Sequence, residues 1–245
     1  MIDNHVHVGW YTNGYHSPKE VWQAEKMAGV DEIAVSSTST CAELYKLVIH
    51  EMKELKKLGG NQVHPILWVT PRMMKTYGIR KMLNSKVIWE GIKMHWEAHR
   101  EWFYNPKLVE KVMQIADEKH LPILLHTGSF KECHAAVFTE LCKNHPNIKF
   151  VLAHGRPIDE AINVMHSAPN TYVDTAFMPL EDLKQIADVA LADRILFGTD
   201  APINTVYYHG ATSEYISDCL CQIRRTLAKS TFEKITSNTV YSYYM

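Results

Sequence analysis

Leu108-Val109-Glu110-Lys111-Val112-Met113-Gln114-Ile115-Ala116, followed by Pro122-Ile123-Leu124-Leu125-His126-Thr127, sets the pattern of the whole chain. The first stretch spaces its apolar residues at helical period. The second is a short apolar run, the mark of a buried strand. The same alternation extends in both directions. Candidate strands cover residues 1–8, 32–37, 63–70, 87–95, 122–127, 148–154, 171–176 and 194–199, with helical segments between them. Ser17-Pro18-Lys19-Glu20 reads as an N-cap serine, a proline at the first helical position and a capping-box glutamate. Thr40-Cys41-Ala42-Glu43 and Ser230-Thr231-Phe232-Glu233 repeat the capping-box spacing, and Gly59-Gly60 closes the second helix. Eight strand–helix units in 245 residues allot about 31 residues to each, the size of a βαβ repeat. Parallel strands need crossovers, and the segments between these strands have helical period. The expectation is an α/β protein, a single (β/α)8 TIM barrel over residues 1–245, with an open doubly wound sheet as the alternative. No Pro/Gly/Ser-rich linker marks a second domain.

Charge and cysteine usage narrow the function classes. Twenty-six Lys+Arg against 27 Asp+Glu give a net charge of −1, which excludes a general electrostatic grip on nucleic acid or an anionic membrane. No window approaches about 18 uninterrupted apolar residues, so no membrane span is expected. Cys41, Cys133, Cys142, Cys219 and Cys221 form no CxxC pair, and their odd number argues against a disulfide scaffold. The opening Met1-Ile2-Asp3-Asn4-His5 has no signal-peptide character, so a cytoplasmic setting is expected. One number stands apart, the 14 histidines.

Five of those histidines fall at strand ends. His5 and His7 end the first candidate strand, His95 the fourth, His126 the fifth and His154 the sixth, while Asp200 follows the eighth in Phe197-Gly198-Thr199-Asp200. Carboxyl ends of strands are the face on which barrel enzymes assemble their sites. Alternation puts His5 and His7 on one face of their strand, and Lys93 on one face with His95. Taken singly, a strand-end histidine is more often a hydrogen-bonded structural residue, and an aspartate in such a turn is ordinarily a cap. Jointly they are what a divalent ion such as zinc requires: neutral imidazoles and a carboxylate converging on one point. Such an ion activates water, and a neighbouring carboxylate can take the proton. His50, His99, His120, His134, His145 and His166 read as surface or packing residues.

These segments carry a family resemblance. Ile2-Asp3-Asn4-His5-Val6-His7-Val8-Gly9, Gly91-Ile92-Lys93-Met94-His95, Leu124-Leu125-His126-Thr127-Gly128, Leu152-Ala153-His154-Gly155 and Phe197-Gly198-Thr199-Asp200-Ala201-Pro202 resemble, in order, the motifs of the amidohydrolase superfamily, above all its compact amidohydrolase family 2. Ile235-Thr236-Ser237-Asn238-Thr239-Val240 is similar to that branch's closing helix. The resemblance implies a metallo-dependent hydrolase barrel holding one or two divalent ions, zinc first, with manganese or cobalt as alternatives. It implies His5, His7, His126 and Asp200 as ligands, with Asp200 also handling the water proton. His154 it makes either a ligand to a second ion or, with Lys93, a group steadying the substrate's developing negative charge. Some relatives carry a carboxylated lysine near the position of Lys93; Lys-x-His resembles more the mononuclear branch, where the lysine contacts an anionic substrate group. An ion pair within the barrel is the plain alternative. Relatives often continue Lys-x-His with proline, whereas Trp96 stands here.

The loops after the first, fourth and eighth strands are aromatic: Trp10 to Tyr15, Trp96 with Trp102-Phe103-Tyr104, and Val206-Tyr207-Tyr208-His209. With His95, Trp10 and Trp96 are expected to line a small-molecule substrate, the alternatives being rim packing or a homo-oligomer contact. Arg156 or Arg72 could pair with a substrate carboxylate. The function that follows is metal-dependent hydrolysis of a C–N or C–O bond in a small organic molecule. The rivals are a decarboxylase or a metal-independent lactonase of the same branch, a TatD-like deoxyribonuclease, and a non-catalytic binding module.

Overall fold

The computed structural model describes residues 1–207 and 210–241. Its strands are β1 (Ile2–Tyr11), β2 (Gly14–His16), β3 (Glu32–Ser37), β4 (Val63–Trp68), β5 (Gly91–Met94), β6 (Ile123–His126), β7 (Phe150–Ala153), β8 (Thr171–Asp174) and β9 (Ile195–Leu196). They form one curled sheet in the order β2-β1-β3-β4-β5-β6-β7-β8-β9. All neighbours run parallel except β2, which folds back on the end of β1, pairing Trp10 with Tyr15. Beyond β9 the chain returns to β1: Asn4 N–H donates to the Phe197 carbonyl (2.8 Å), Asp200 N–H to that of His5 (2.7 Å) and His7 N–H to that of Ala201 (2.7 Å). Val6 and Ala201 form a parallel bridge there.

Every candidate strand has a counterpart, but several are shorter than expected. Residues 87–90 precede β5 instead of belonging to it; Val87 and Trp89 are buried there, and Trp89 Nε1 donates to the Met82 carbonyl (2.9 Å). Ser17 caps the helix Pro18–Met27 as its spacing predicts, with a complete capping box. The Thr40–Glu43 spacing instead falls inside a 3-10 turn, Thr38–Ala42, closed by Glu43 at φ 59°. Ser230 lies within the helix Lys229–Ser237, which starts from Ala228.

Two apolar sets hold the sheet. The larger fills the space between strands and helices; the smaller lies inside the curl and unites Ala34, Ile66, Leu124, Val151, Ala153 and Leu196 with Val240 and Tyr241. Alternate strand residues thus serve two cores, as period-2 geometry demands. Gly91 is a consequence: a Cβ there would stand 2.9 Å from Ile66 and 3.0 Å from the Tyr241 ring. No helix among the described residues is long and apolar enough to cross a membrane.

Candidate metal centre

The site forms where β1 meets the segment after β9. Asp3 clamps the two: its carboxylate accepts from His5 N–H (3.0 Å), Thr199 N–H (3.1 Å) and Thr199 Oγ1 (2.6 Å). Burial raises Asp3 to about 7 despite these bonds. Gly198 allows the close approach, since a Cβ on it would lie 3.0 Å from that of His5. Asp200 (φ 62°) and His154 (φ 70°) both occupy the left-handed region, a conformation that costs non-glycine residues and clusters at functional sites.

The imidazole protons are placed by their partners. His5 Nδ1 lies 2.9 Å from Asp174 Oδ2, which can only accept, so the His5 lone pair is at Nε2. Asp174 also receives His154 N–H (3.0 Å); its carboxyl is held below the usual range because His5 outweighs the upward push of burial. His7 Nδ1 sits against the Ser36 carbonyl (3.3 Å) and hydroxyl (3.0 Å), while its Nε2 faces Lys93 Nζ, a donor only, at 2.9 Å. Asp200 Oδ1 approaches the same nitrogen at 2.8 Å; with a proton on Nδ1 against the Ser36 carbonyl, Nε2 is the His7 atom that can face an ion. Burial, and then Lys93, lower the His7 pKa to about 3.

Acceptors crowd together here. His5 Nε2 and His7 Nε2 are 3.3 Å apart, and Asp200 Oδ1 lies 3.2 Å from the first and 2.8 Å from the second. Burial would raise Asp200, but His5 and His7 hold it well below the ordinary carboxylate range. Among the described residues, His5, His7 and Asp200 form one group whose ligand atoms lie within 4.8 Å of one another, and His5, His154 and Asp174 form the other.

Lys93 from β5 reaches the same point, 2.8 Å from His5 Nε2, and burial lowers its pKa to about 8. His126 stands further along the mouth. Its Nε2 meets Glu97 Oε2 at 3.3 Å and its Nδ1 meets His154 Nε2 at 3.2 Å, so it is not in the His5–His7–Asp200 group. His154 keeps its proton on Nδ1, against the Ala176 carbonyl (2.9 Å). Its Nε2 is thus an acceptor, 4.0 Å from Asp200 Oδ2. Burial and the neighbouring His126 lower its pKa to about 3.

Over this cluster opens a cleft of about 670 Å³. Lys93, His95, His126, His154, Arg156 and Asp200 line it, joined by Trp68, Glu97, Phe177 and Tyr207. His95 is stacked between Trp68 and His126, with ring centroids 5.4 and 3.6 Å away. Arg156 donates to the Phe177 carbonyl (3.1 Å) at the cleft wall. Two residues expected at the substrate are elsewhere. Trp96 is only 5 % exposed and packs against Trp102 and Phe138; Trp10 is 51 % exposed and lies on Tyr15 in the β1–β2 hairpin. Arg72 pairs with Glu43 (2.7 Å) on the surface. Tyr208 and His209 of the third aromatic loop lie outside the described residues. Asp174, Glu97 and Trp68 escaped the sequence reading. Asp174 lies in the seventh candidate strand, which, like the second and third, brought no residue to the constellation.

The fold is α/β, and the candidate site lies at the carboxyl ends of its parallel strands. Residues 81–230, more than half of the chain, match the amidohydrolase family model, and the chain belongs to that family, family 2 of the amidohydrolase superfamily. No curated protein matches it by sequence. Among solved structures it is similar to an amidohydrolase from Burkholderia multivorans (12 % identity, TM-score 0.68, covering 98 % of this chain and 96 % of that one), a protein also solved with bound zinc. It is similar to 2,6-dihydroxybenzoate decarboxylase from Rhizobium (11 % identity, TM-score 0.58, 96 % and 95 % covered). A third is a probable 2-pyrone-4,6-dicarboxylic acid hydrolase from Acinetobacter baumannii (9 % identity, TM-score 0.62, 96 % and 95 % covered). These likenesses are likenesses of fold.

Proposed function

We propose that this protein is a metal-dependent hydrolase that cleaves a C–N or C–O bond of a small organic molecule. The observation that carries the reading is the convergence of His5 Nε2, His7 Nε2 and Asp200 Oδ1 on one point at the floor of the cleft. His5, His7 and Asp200 would hold a divalent ion, zinc first among candidates, with His154 and His126 as the neighbouring histidines of the cleft. A bound ion of this kind polarises a substrate carbonyl and lowers the pKa of water toward about 7.

The chain's own residues do the rest. Asp174 and Ser36 hold the two imidazoles with their lone pairs inward. Asp200, kept anionic by His5 and His7, is the base that takes the water proton. Lys93 and Arg156 are the donors positioned to steady negative charge on the substrate, while Trp68, Phe177 and Tyr207 form apolar cleft wall. His154 acts as an acceptor, holding His126 in place. The bonds between β1 and the segment after β9 support a closed eight-stranded barrel in one domain, with β2 as an added hairpin.

Elemental analysis of protein purified without chelator tests this. One zinc, manganese or cobalt ion per chain, with hydrolysis of small amides, lactones or esters abolished by chelation and restored by the ion, is the expected result. Carbon dioxide release from small carboxylates in place of hydrolysis would make the protein a decarboxylase built on the same centre. Chains that take up no ion would end the metal reading.

A further inference from the structure

Lys93 is an unusual neighbour for a metal centre. Its side chain is 2 % exposed, and Nζ lies 2.8 Å from His5 Nε2 and 2.9 Å from His7 Nε2. Asp200 Oδ1 is 3.2 and 2.8 Å from the same two nitrogens. The lysine is thus the positive group facing the inward lone pairs. An ammonium has three donors and no lone pair, so it cannot ligate an ion, and two cations cannot share one point.

We propose that Lys93 is the site's internal cation: it holds the His5–His7–Asp200 acceptors together in the metal-free chain and competes with the incoming divalent ion for them. The inference rests on the metal reading above. It also gives Lys93 a second position. When the ion enters, Nζ withdraws from both imidazoles and keeps the Trp68 ring, whose centroid already lies 4.6 Å from it on the wall of the cleft, as its remaining partner. The displaced ammonium then stands over the cleft, where an anionic group of a substrate can meet it. Occupancy of the metal site thereby becomes a condition for anion binding at Lys93.

Zinc affinity measured by competition with a chromogenic chelator, on wild type and Lys93→Met, tests the competition without any substrate. Lys93→Met is expected to bind zinc at least about 10-fold more tightly. Its metal-free form is expected to melt below metal-free wild type, with the gap closing on loading. Equal or weaker zinc binding by a folded Lys93→Met overturns the inference and leaves the metal reading standing. Zinc uptake by neither protein removes both. A readout on wild type alone covers a variant that fails to fold: crystal structures without and with zinc should show Nζ leaving hydrogen-bond distance of His5 and His7. Nζ still bonded to both imidazoles in the zinc-loaded protein would equally overturn it.

Discussion

Each end of the parallel sheet buries histidine among charged groups, and the two ends are wired with opposite polarity. At the carboxyl end, His5 and His7 spend their protons outward, on Asp174 and Ser36, and keep lone pairs facing one another across 3.3 Å. At the amino end, His64 has a carboxylate on each ring nitrogen, Glu90 at 2.6 Å and Glu32 at 3.0 Å, with Lys56 closing on Glu90 at 3.2 Å. Burial acts to lower both kinds of histidine. It wins at His7, which falls to about 3, and loses at His64, where Glu90 and Glu32 raise the pKa. His64 has a separate carboxylate for each nitrogen, which favours protons on both, whereas His5 and His7 share the one inward carboxylate of Asp200 and meet Lys93 at the same two nitrogens, so their inward side is a shared ligand set. Cavity size draws no such line, since the hollow at the amino end is larger, about 860 Å³ against about 670 Å³.

The sharpest way to break the contrast is Asp200→Asn. It keeps the side chain's size and removes the charge that completes the acceptor set. Turnover should fall by about 10³-fold with an unchanged circular dichroism spectrum; a variant that still turns over at the wild-type rate would detach Asp200 from the chemistry. Next comes Asp174→Asn, which touches no substrate but loosens the orientation of His5. Zinc affinity should drop by about 10–100-fold, and wild-type affinity would show that the outward proton is incidental.

The opposite end should respond in stability alone. Glu90→Gln is expected to cost about 2 kcal/mol at pH 6, read from urea midpoints, with zinc affinity untouched. The sign of the pH dependence follows from the raised pKa of His64, whose ordinary value is 6.5. Stability from the charged imidazole is fully present below that ordinary value and is lost as pH rises through the folded-state value. The difference between wild type and Glu90→Gln should therefore shrink by pH 9. A constant difference, or a change in metal affinity, would erase the distinction between the two ends.

How far the sequence carried the site depends on the range of the interaction. His5, His7, Lys93 and Asp200 were legible because strand alternation and position at a strand end are local properties, and the order of the family's motifs supports them. Asp174 was not, for its partner His5 is 169 residues away and nothing near Thr171-Tyr172-Val173-Asp174 announces it. His126 was placed at the right strand end, but Glu97, two residues beyond His95, turns its Nε2 along the mouth, and no spacing rule describes a carboxylate in a turn. Trp96 misled for a general reason. An indole in a loop next to a cleft serves equally to wall the cleft or to fill the core beneath it, and composition is the same in both cases. The hairpin strand β2 went unread because Gly14-Tyr15-His16 is too short for any periodicity to show.

Tyr241 has a consequence for how the molecule is made. Its ring fills the interior beside Ile66 and Gly91, and Asn4 donates side-chain hydrogen bonds to the carbonyls of Phe197 (3.0 Å) and Asn238 (3.0 Å). During synthesis β1 therefore leaves the ribosome long before the segment that pairs with it, and the inside of the sheet lacks Tyr241 until the chain some 240 residues beyond the start of β1 has been made. Contacts of such long sequence separation fold slowly and expose apolar strand edges meanwhile. The stage before that closure is the one at which aggregation competes with folding.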